Sequence, residues 1–139
     1  MGPRMRASPD ARTPTRGDDG CVPRTLLIVD DHAGFRSFAR ALLEAQGYAV
    51  VGEAADGISA IAAARRLRPA IVLLDIALPD IDGFTVCEHI TAGDGEQPLV
   101  VFTSSRDESS YLDQLARSRA KGFIPKNDIS AATLAELTG

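Results

Sequence analysis

Ile-Val-Leu-Leu-Asp (71–75) is a continuous apolar run closed by an acid. Leu-Leu-Ile-Val-Asp-Asp (26–31) repeats the form, and Leu-Val-Val-Phe-Thr (99–103) repeats it with a hydroxyl at the end. Runs without polar alternation suit strands covered on both faces. Two further runs, 48–52 and 122–124, make five. Helical spacing fills the gaps between them. Phe35, Phe38, Leu42 and Leu43 mark a first helix, stopped by Gly47. Ile58, Ile61, Ala62 and Leu67 mark a second, ended by Pro69, and Phe84, Cys87 and Ile90 a third. Tyr111, Leu112, Leu115 and Ala116 mark a fourth, and Leu134 and Leu137 a short fifth over about 130–138.

Strand and helix alternating five times predicts an α/β fold with a parallel sheet and helices on both faces. At this length the natural form is the flavodoxin-like, doubly wound (βα)5 arrangement, a five-stranded parallel sheet in order 2-1-3-4-5. Ligands of such sheets bind at the carboxyl ends of the strands, near the switch point between strands one and three. Asp30 and Asp31 end strand one, Asp75 strand three, Thr103 strand four and Lys126 strand five. Three carboxylates therefore converge. Like charges that close raise one another's pKa values, and a divalent cation removes the conflict. A few hard oxygen ligands suggest Mg²⁺. His32 is adjacent, but no Cys/His spacing suggests zinc. Each residue also has a plainer reading. Asp30 or Asp31 caps the next helix, Thr103 is a strand-end hydroxyl, Lys126 is a surface lysine and Phe123 is a core strand residue. Asp80 and Asp82, in Leu-Pro-Asp-Ile-Asp-Gly (78–83), read as turn or cap residues, with His89 exposed and Cys87 buried on one helix.

The chain of 139 residues suits one domain, with 45% hydrophobic and 24% charged residues. Residues 1–23 are rich in Pro, Gly, Arg, Asp and Thr and read as a disordered tail, leaving 24–139 as the folded domain. Residues 25–139 carry 10 basic and 16 acidic side chains, a net −6, which argues against a broad nucleic-acid-binding surface. Only Lys121 and Lys126 are lysines. Cys21 and Cys87 do not form a disulfide framework, and no membrane span or export signal is evident, so a cytoplasmic setting is expected.

Leu-Leu-Ile-Val-Asp-Asp-His (26–32), Glu-Ala-Ala-Asp-Gly (53–57), Val-Leu-Leu-Asp-Ile-Ala-Leu-Pro-Asp-Ile-Asp-Gly (72–83), Val-Phe-Thr-Ser (101–104) and Ala-Lys-Gly-Phe-Ile-Pro-Lys (120–126) resemble the signature segments of response-regulator receiver domains. The resemblance covers 25 to about 137. It implies that Asp75 accepts a phosphoryl group from a sensor histidine kinase. It implies that Asp31, Asp75 and the backbone carbonyl of Ala77 bind Mg²⁺, with Asp30 acting mainly through a metal-bound water. Thr103 would contact the phosphoryl group, Lys126 would pair with Asp75 and the phosphate, and Phe123 takes the place of the switching aromatic. Signalling would run through the face made by helix four, strand five and helix five. Such a domain catalyses its own phosphorylation and dephosphorylation without being a turnover enzyme. Its other partners would be a second copy or a downstream effector protein, with no direct nucleic-acid or membrane binding by this chain.

Three positions depart from the family pattern. His32 follows the acidic pair. Asn127 stands where many members have proline, so a cis bond after Lys126 is not expected. Pro125 precedes Lys126, which suits an edge strand. The short fifth helix resembles receivers that precede a helix-turn-helix effector. Two other readings compete. A phosphatase of the haloacid dehalogenase type also uses a strand-end Asp and Mg²⁺, but needs a second carboxylate at the position of Ala77. A degenerate receiver used only for docking is opposed by the complete set Asp30, Asp31, Asp75, Thr103 and Lys126.

Overall fold

The computed structural model describes residues 23–93, 95–105 and 108–139. All but Pro23 of the expected tail, Cys21 included, lies outside the described residues, as do Arg106 and Asp107 of the loop after Thr103. The elements run β1 (Thr25–Val29), α1 (Ala33–Ala45), β2 (Ala49–Ala54), α2 (Gly57–Leu67), β3 (Ile71–Asp75), α3 (Gly83–Thr91), β4 (Leu99–Ser104), α4 (Leu112–Arg117), β5 (Gly122–Pro125) and α5 (Ala131–Thr138). A 3-10 turn, Glu108–Tyr111, leads into α4. The strands form one sheet in the order β2-β1-β3-β4-β5, every pairing parallel. This is the expected flavodoxin-like topology. β5 pairs with β4 alone, so Pro125 lies on an edge strand. Among the described residues no peptide bond is cis, and no helix is long and apolar enough to cross a membrane.

The two faces of the sheet sort the apolar runs by alternation. Leu27, Val29, Val72, Leu74, Val100 and Phe102 pack with α2 and α3. Leu26, Ile28, Ile71, Leu73, Val101 and Ile124 pack with α1 and α5. All five residues of β3 are buried, as a central strand demands. Each such Leu, Ile or Val contributes about 1.5–3 kcal/mol by leaving water.

Three large apolar residues read as core face solvent instead: Phe38 is 56% exposed, Ile58 64% and Leu112 56%. The reason is clearest at α2, which buries Gly57, Ala60, Ala63 and Ala64. A Cβ on Gly57 would collide with the Ile81 side chain and lie 2.8 Å from Val86 Cγ2. The helix therefore approaches the β3–α3 loop on its smallest residues, and Ile58 turns outward. In α1 it is Ala39 and Leu43 that are fully buried.

Gly83 fixes the floor of the strand ends. Its N–H donates to the Ile76 carbonyl at 2.8 Å. A Cβ there would lie 2.6 Å from the Asp75 carbonyl oxygen and 2.8 Å from Ile76 Cα, both backbone atoms that cannot step aside. Gly83→Ala is expected to cost about 1–3 kcal/mol, as overpacking does, measurable by urea unfolding. An unchanged midpoint would show that the α3 start yields freely.

Candidate functional site

β1 and β3 are neighbours with Val29 opposite Leu74, so Asp30 and Asp75 leave the sheet side by side. Asp75 pairs in register with Thr103 of β4. The ladder extends past the strands: Asp30 N–H donates to the Ala54 carbonyl (3.0 Å) and Ile76 N–H to the Thr103 carbonyl (3.1 Å). Backbone hydrogen bonding thus holds the acids rigidly.

Both aspartates use one carboxylate oxygen in the same local turn. Asp30 Oδ1 accepts from the His32 N–H (2.8 Å), and Asp75 Oδ1 accepts from the Ala77 N–H (3.1 Å). Such bonds to the backbone two residues on are a habit of Asp. They leave each Oδ2 toward Lys126. Nζ lies 2.6 Å from Asp30 Oδ2 and 3.3 Å from Asp75 Oδ2. The contact to Asp30 is a close ion pair without hydrogen-bond alignment. Lys126 was expected to pair with Asp75, and it donates a hydrogen bond to Asp75 Oδ2 while lying nearer Asp30 Oδ2.

Burial makes the arrangement costly. Asp30 is fully buried and Asp75 is 3% exposed, so two carboxylates share one ammonium. Burial, then the neighbouring Asp30 charge, pushes the Asp75 carboxyl above its usual range, against the pull of Lys126 and the Ala77 N–H. Burial alone would lower the Lys126 pKa, but Asp30 and Asp75 outweigh it and hold the ammonium charged. The Lys126 ammonium also stands 4.9 Å from the Phe35 ring centroid, within cation–π range.

The remaining expected residues fall around this pair. Thr103 is 1% exposed, and its hydroxyl is buried with no hydrogen-bond partner. A buried orphan hydroxyl is costly unless a ligand atom answers it. Asp31 is exposed and near the acids; ligand atoms of Asp30, Asp31, His32 and Asp75 all lie within 4.8 Å of one another. This donor set fits a small divalent cation. Phe123 is half-buried, packed against the α2–α3 side of the sheet, opposite Phe102 in register. Neither Asp30 nor Asp31 caps α1, whose N-cap is His32 without a side-chain cap bond. Asp82 does cap α3, accepting from Thr85 N–H at 2.9 Å. His89 is exposed, and Cys87 is buried with its thiol pushed up by burial.

Two further residues position the site: Arg36, which carries no sequence signal, and Asp80, read as a turn or cap residue. Arg36 donates to the Asp30 carbonyl (2.6 Å) and to Glu53 of β2 (3.0 Å), and so ties α1 to the strand ends. Asp80 accepts from the N–H groups of Gly57 (2.7 Å) and Ile58 (2.9 Å), and so caps α2 from another loop. Those two bonds hold the Asp80 carboxyl below its usual range.

Comparison with known proteins identifies the arrangement. The family model for the response regulator receiver domain matches residues 26–137. The chain belongs to the response-regulator receiver family. It is 36% identical over 111 residues to the transcriptional regulatory protein PdtaR of Mycobacterium tuberculosis, covering 80% of this chain and 52% of PdtaR. Among solved structures, the signal receiver domain of the response regulator NarL from Mycobacterium tuberculosis is similar at a TM-score of 0.73 and 30% identity, covering 84% of this chain and 98% of that one. CheY of Borrelia burgdorferi, solved as a complex with CheX, BeF3 and Mg²⁺, matches at a TM-score of 0.70 and 29% identity, covering 83% and 86%. The chain spans about half the length of the transcriptional regulators it matches. As a receiver it is a phosphorylation-based signalling module of two-component systems. The phosphatase reading finds no support, since Ala77 offers no carboxylate.

Proposed function

We propose that Asp75 is the phosphoryl acceptor of this receiver and that a sensor histidine kinase is the donor. The observation that carries the reading is one buried cluster: Asp75 and Asp30 share the Lys126 ammonium, beside the unpartnered Thr103 hydroxyl. A carboxylate oxygen of Asp75 attacks phosphorus; the new P–O bond forms as the bond to the donor imidazole breaks. Charge on the transferred oxygens must be met by fixed cations and donors, since phosphoryl transfer is mostly positioning and electrostatics. Lys126 is held in place for this by two carboxylates and the Phe35 ring. The Thr103 hydroxyl donates to a phosphoryl oxygen. Asp31, Asp75 and the Ala77 carbonyl would hold Mg²⁺, with Asp30 in a supporting role, and the bound ion would supply further positive charge for the phosphoryl oxygens. Recruitment of Thr103 biases the packing around Phe123, and with it the face of α4, β5 and α5.

The setting is cytoplasmic, and the output passes to a second copy, to a separate effector, or to an effector domain joined to the receiver. The acidic surface makes direct nucleic-acid binding by these residues a poor fit. The metal assignment is tested by calorimetric titration with Mg²⁺. Asp31→Asn is expected to lower Mg²⁺ affinity by roughly 10-fold or more, with a matching loss of the Mg²⁺-induced rise in Tm. Equal affinity in Asp31→Asn and parent would remove Asp31 from the site.

A further inference from the structure

We infer that His32 is a metal ligand that gives the acidic site a preference for borderline divalent cations over Mg²⁺. The inference rests on the proposed metal site and adds a nitrogen donor to it. The His32 Nδ1 atom lies 3.1 Å from Asp31 Oδ1 and 3.2 Å from Asp30 Oδ1. Metal–ligand bonds of 2.0–2.2 Å place adjacent donors of one ion about 3 Å apart. The observed separations match that spacing, and the set closes with an Asp75 oxygen within 4.8 Å.

Other features of the residue point the same way. The ring does not cap α1, although His32 is the N-cap residue. The side chain is 72% exposed, so packing does not lock it and it borders the solvent from which a cation arrives. At the neighbouring strand end, in register with Asp75, Thr103 Oγ1 is buried without a hydrogen-bond partner, so the site has unmet polar capacity. An imidazole adds little for Mg²⁺, a hard ion that keeps oxygen ligands and water. It adds much for ions later in the first transition row, which favour nitrogen. The plainer role for His32 is a hydrogen-bond bridge between Asp30 and Asp31, which predicts no metal selectivity.

The test uses the full chain, with Co²⁺ and Mg²⁺ as separate probes. Co²⁺ binding is followed by visible absorption, and Mg²⁺ binding by calorimetry. His32→Ala is expected to weaken Co²⁺ by roughly 10-fold or more while changing Mg²⁺ by less than about twofold. In the Co²⁺-loaded parent, one of the chain's two histidines should show paramagnetically shifted imidazole signals, and these should be lost in His32→Ala. His32→Gln, which keeps bulk and polarity, should behave like the alanine variant. Unchanged Co²⁺ affinity in both variants would overturn the inference, as would an equal loss for both metals. If the parent binds neither ion, the metal site itself fails, and the Mg²⁺ titration of the parent shows this separately.

Discussion

Lys126→Ala is expected to destabilise the metal-free protein by about 3–5 kcal/mol, the usual cost of removing one partner of a buried ion pair. The size follows from burial. Asp30 is fully enclosed and Asp75 nearly so, and without Nζ at 2.6 and 3.3 Å they face each other as two buried anions. The Phe35 ring also loses its cation. The ammonium's pKa is raised above its ordinary 10.5, so its stabilisation is complete below that value and fades only as pH climbs through the raised one. The deficit should therefore be constant across neutral pH. It should shrink on adding Mg²⁺, which replaces part of the missing positive charge, and in the double variant with Asp30→Asn. Urea unfolding with EDTA and with Mg²⁺ checks this. A small deficit, or one that Mg²⁺ leaves untouched, would mean the pocket does not depend on cationic charge.

Asp75→Asn is expected to abolish phosphoryl uptake and yet to make the metal-free protein more stable. The first effect follows from chemistry, because an amide is no substitute for the carboxylate nucleophile. The second follows from linkage. Burial and Asp30 raise the Asp75 pKa above its ordinary 3.8, so ionising it costs the folded state free energy. That cost is absent below pH 3.8, grows as pH rises from 3.8 through the raised folded value, and is constant above it. The neutral amide escapes it. Asp75→Asn should be more stable than the parent at pH 7, with the gain gone in acid. Thermal unfolding of both proteins from acid to neutral pH checks the sign. A variant less stable than the parent at pH 7 would contradict the electrostatic reading.

The fold was legible because buried parallel strands announce themselves. Runs such as 71–75 and 26–29 have no polar alternation, and Gly and Pro mark where helices stop. The gathering of Asp30, Asp75, Thr103 and Lys126 was legible for a topological reason: once the strand order is fixed, residues at adjacent carboxyl ends must meet. Helix faces were less legible. Phe38, Ile58 and Leu112 fit apolar spacing, but the buried stripe of α2 is made of Gly and Ala, chosen by how closely Ile81 and Val86 approach. Arg36 was invisible because it reaches the main-chain carbonyl of Asp30, and Asp80, read as a turn or cap residue, caps a helix that its own loop does not lead into. That both aspartates turn Oδ2 toward Lys126 follows from the Oδ1 bond each makes to its own backbone, which no spacing records.

Whether Asp75 takes the phosphoryl group is read most directly by mapping the modified residue. The protein is incubated with acetyl phosphate and Mg²⁺, reduced with borohydride to trap the acyl phosphate, digested and sequenced by tandem mass spectrometry. One modified side chain is expected, Asp75, labelled with Mg²⁺ and not with EDTA. A label on Asp30 or Asp31, or equal labelling in Asp75→Asn, would contradict this.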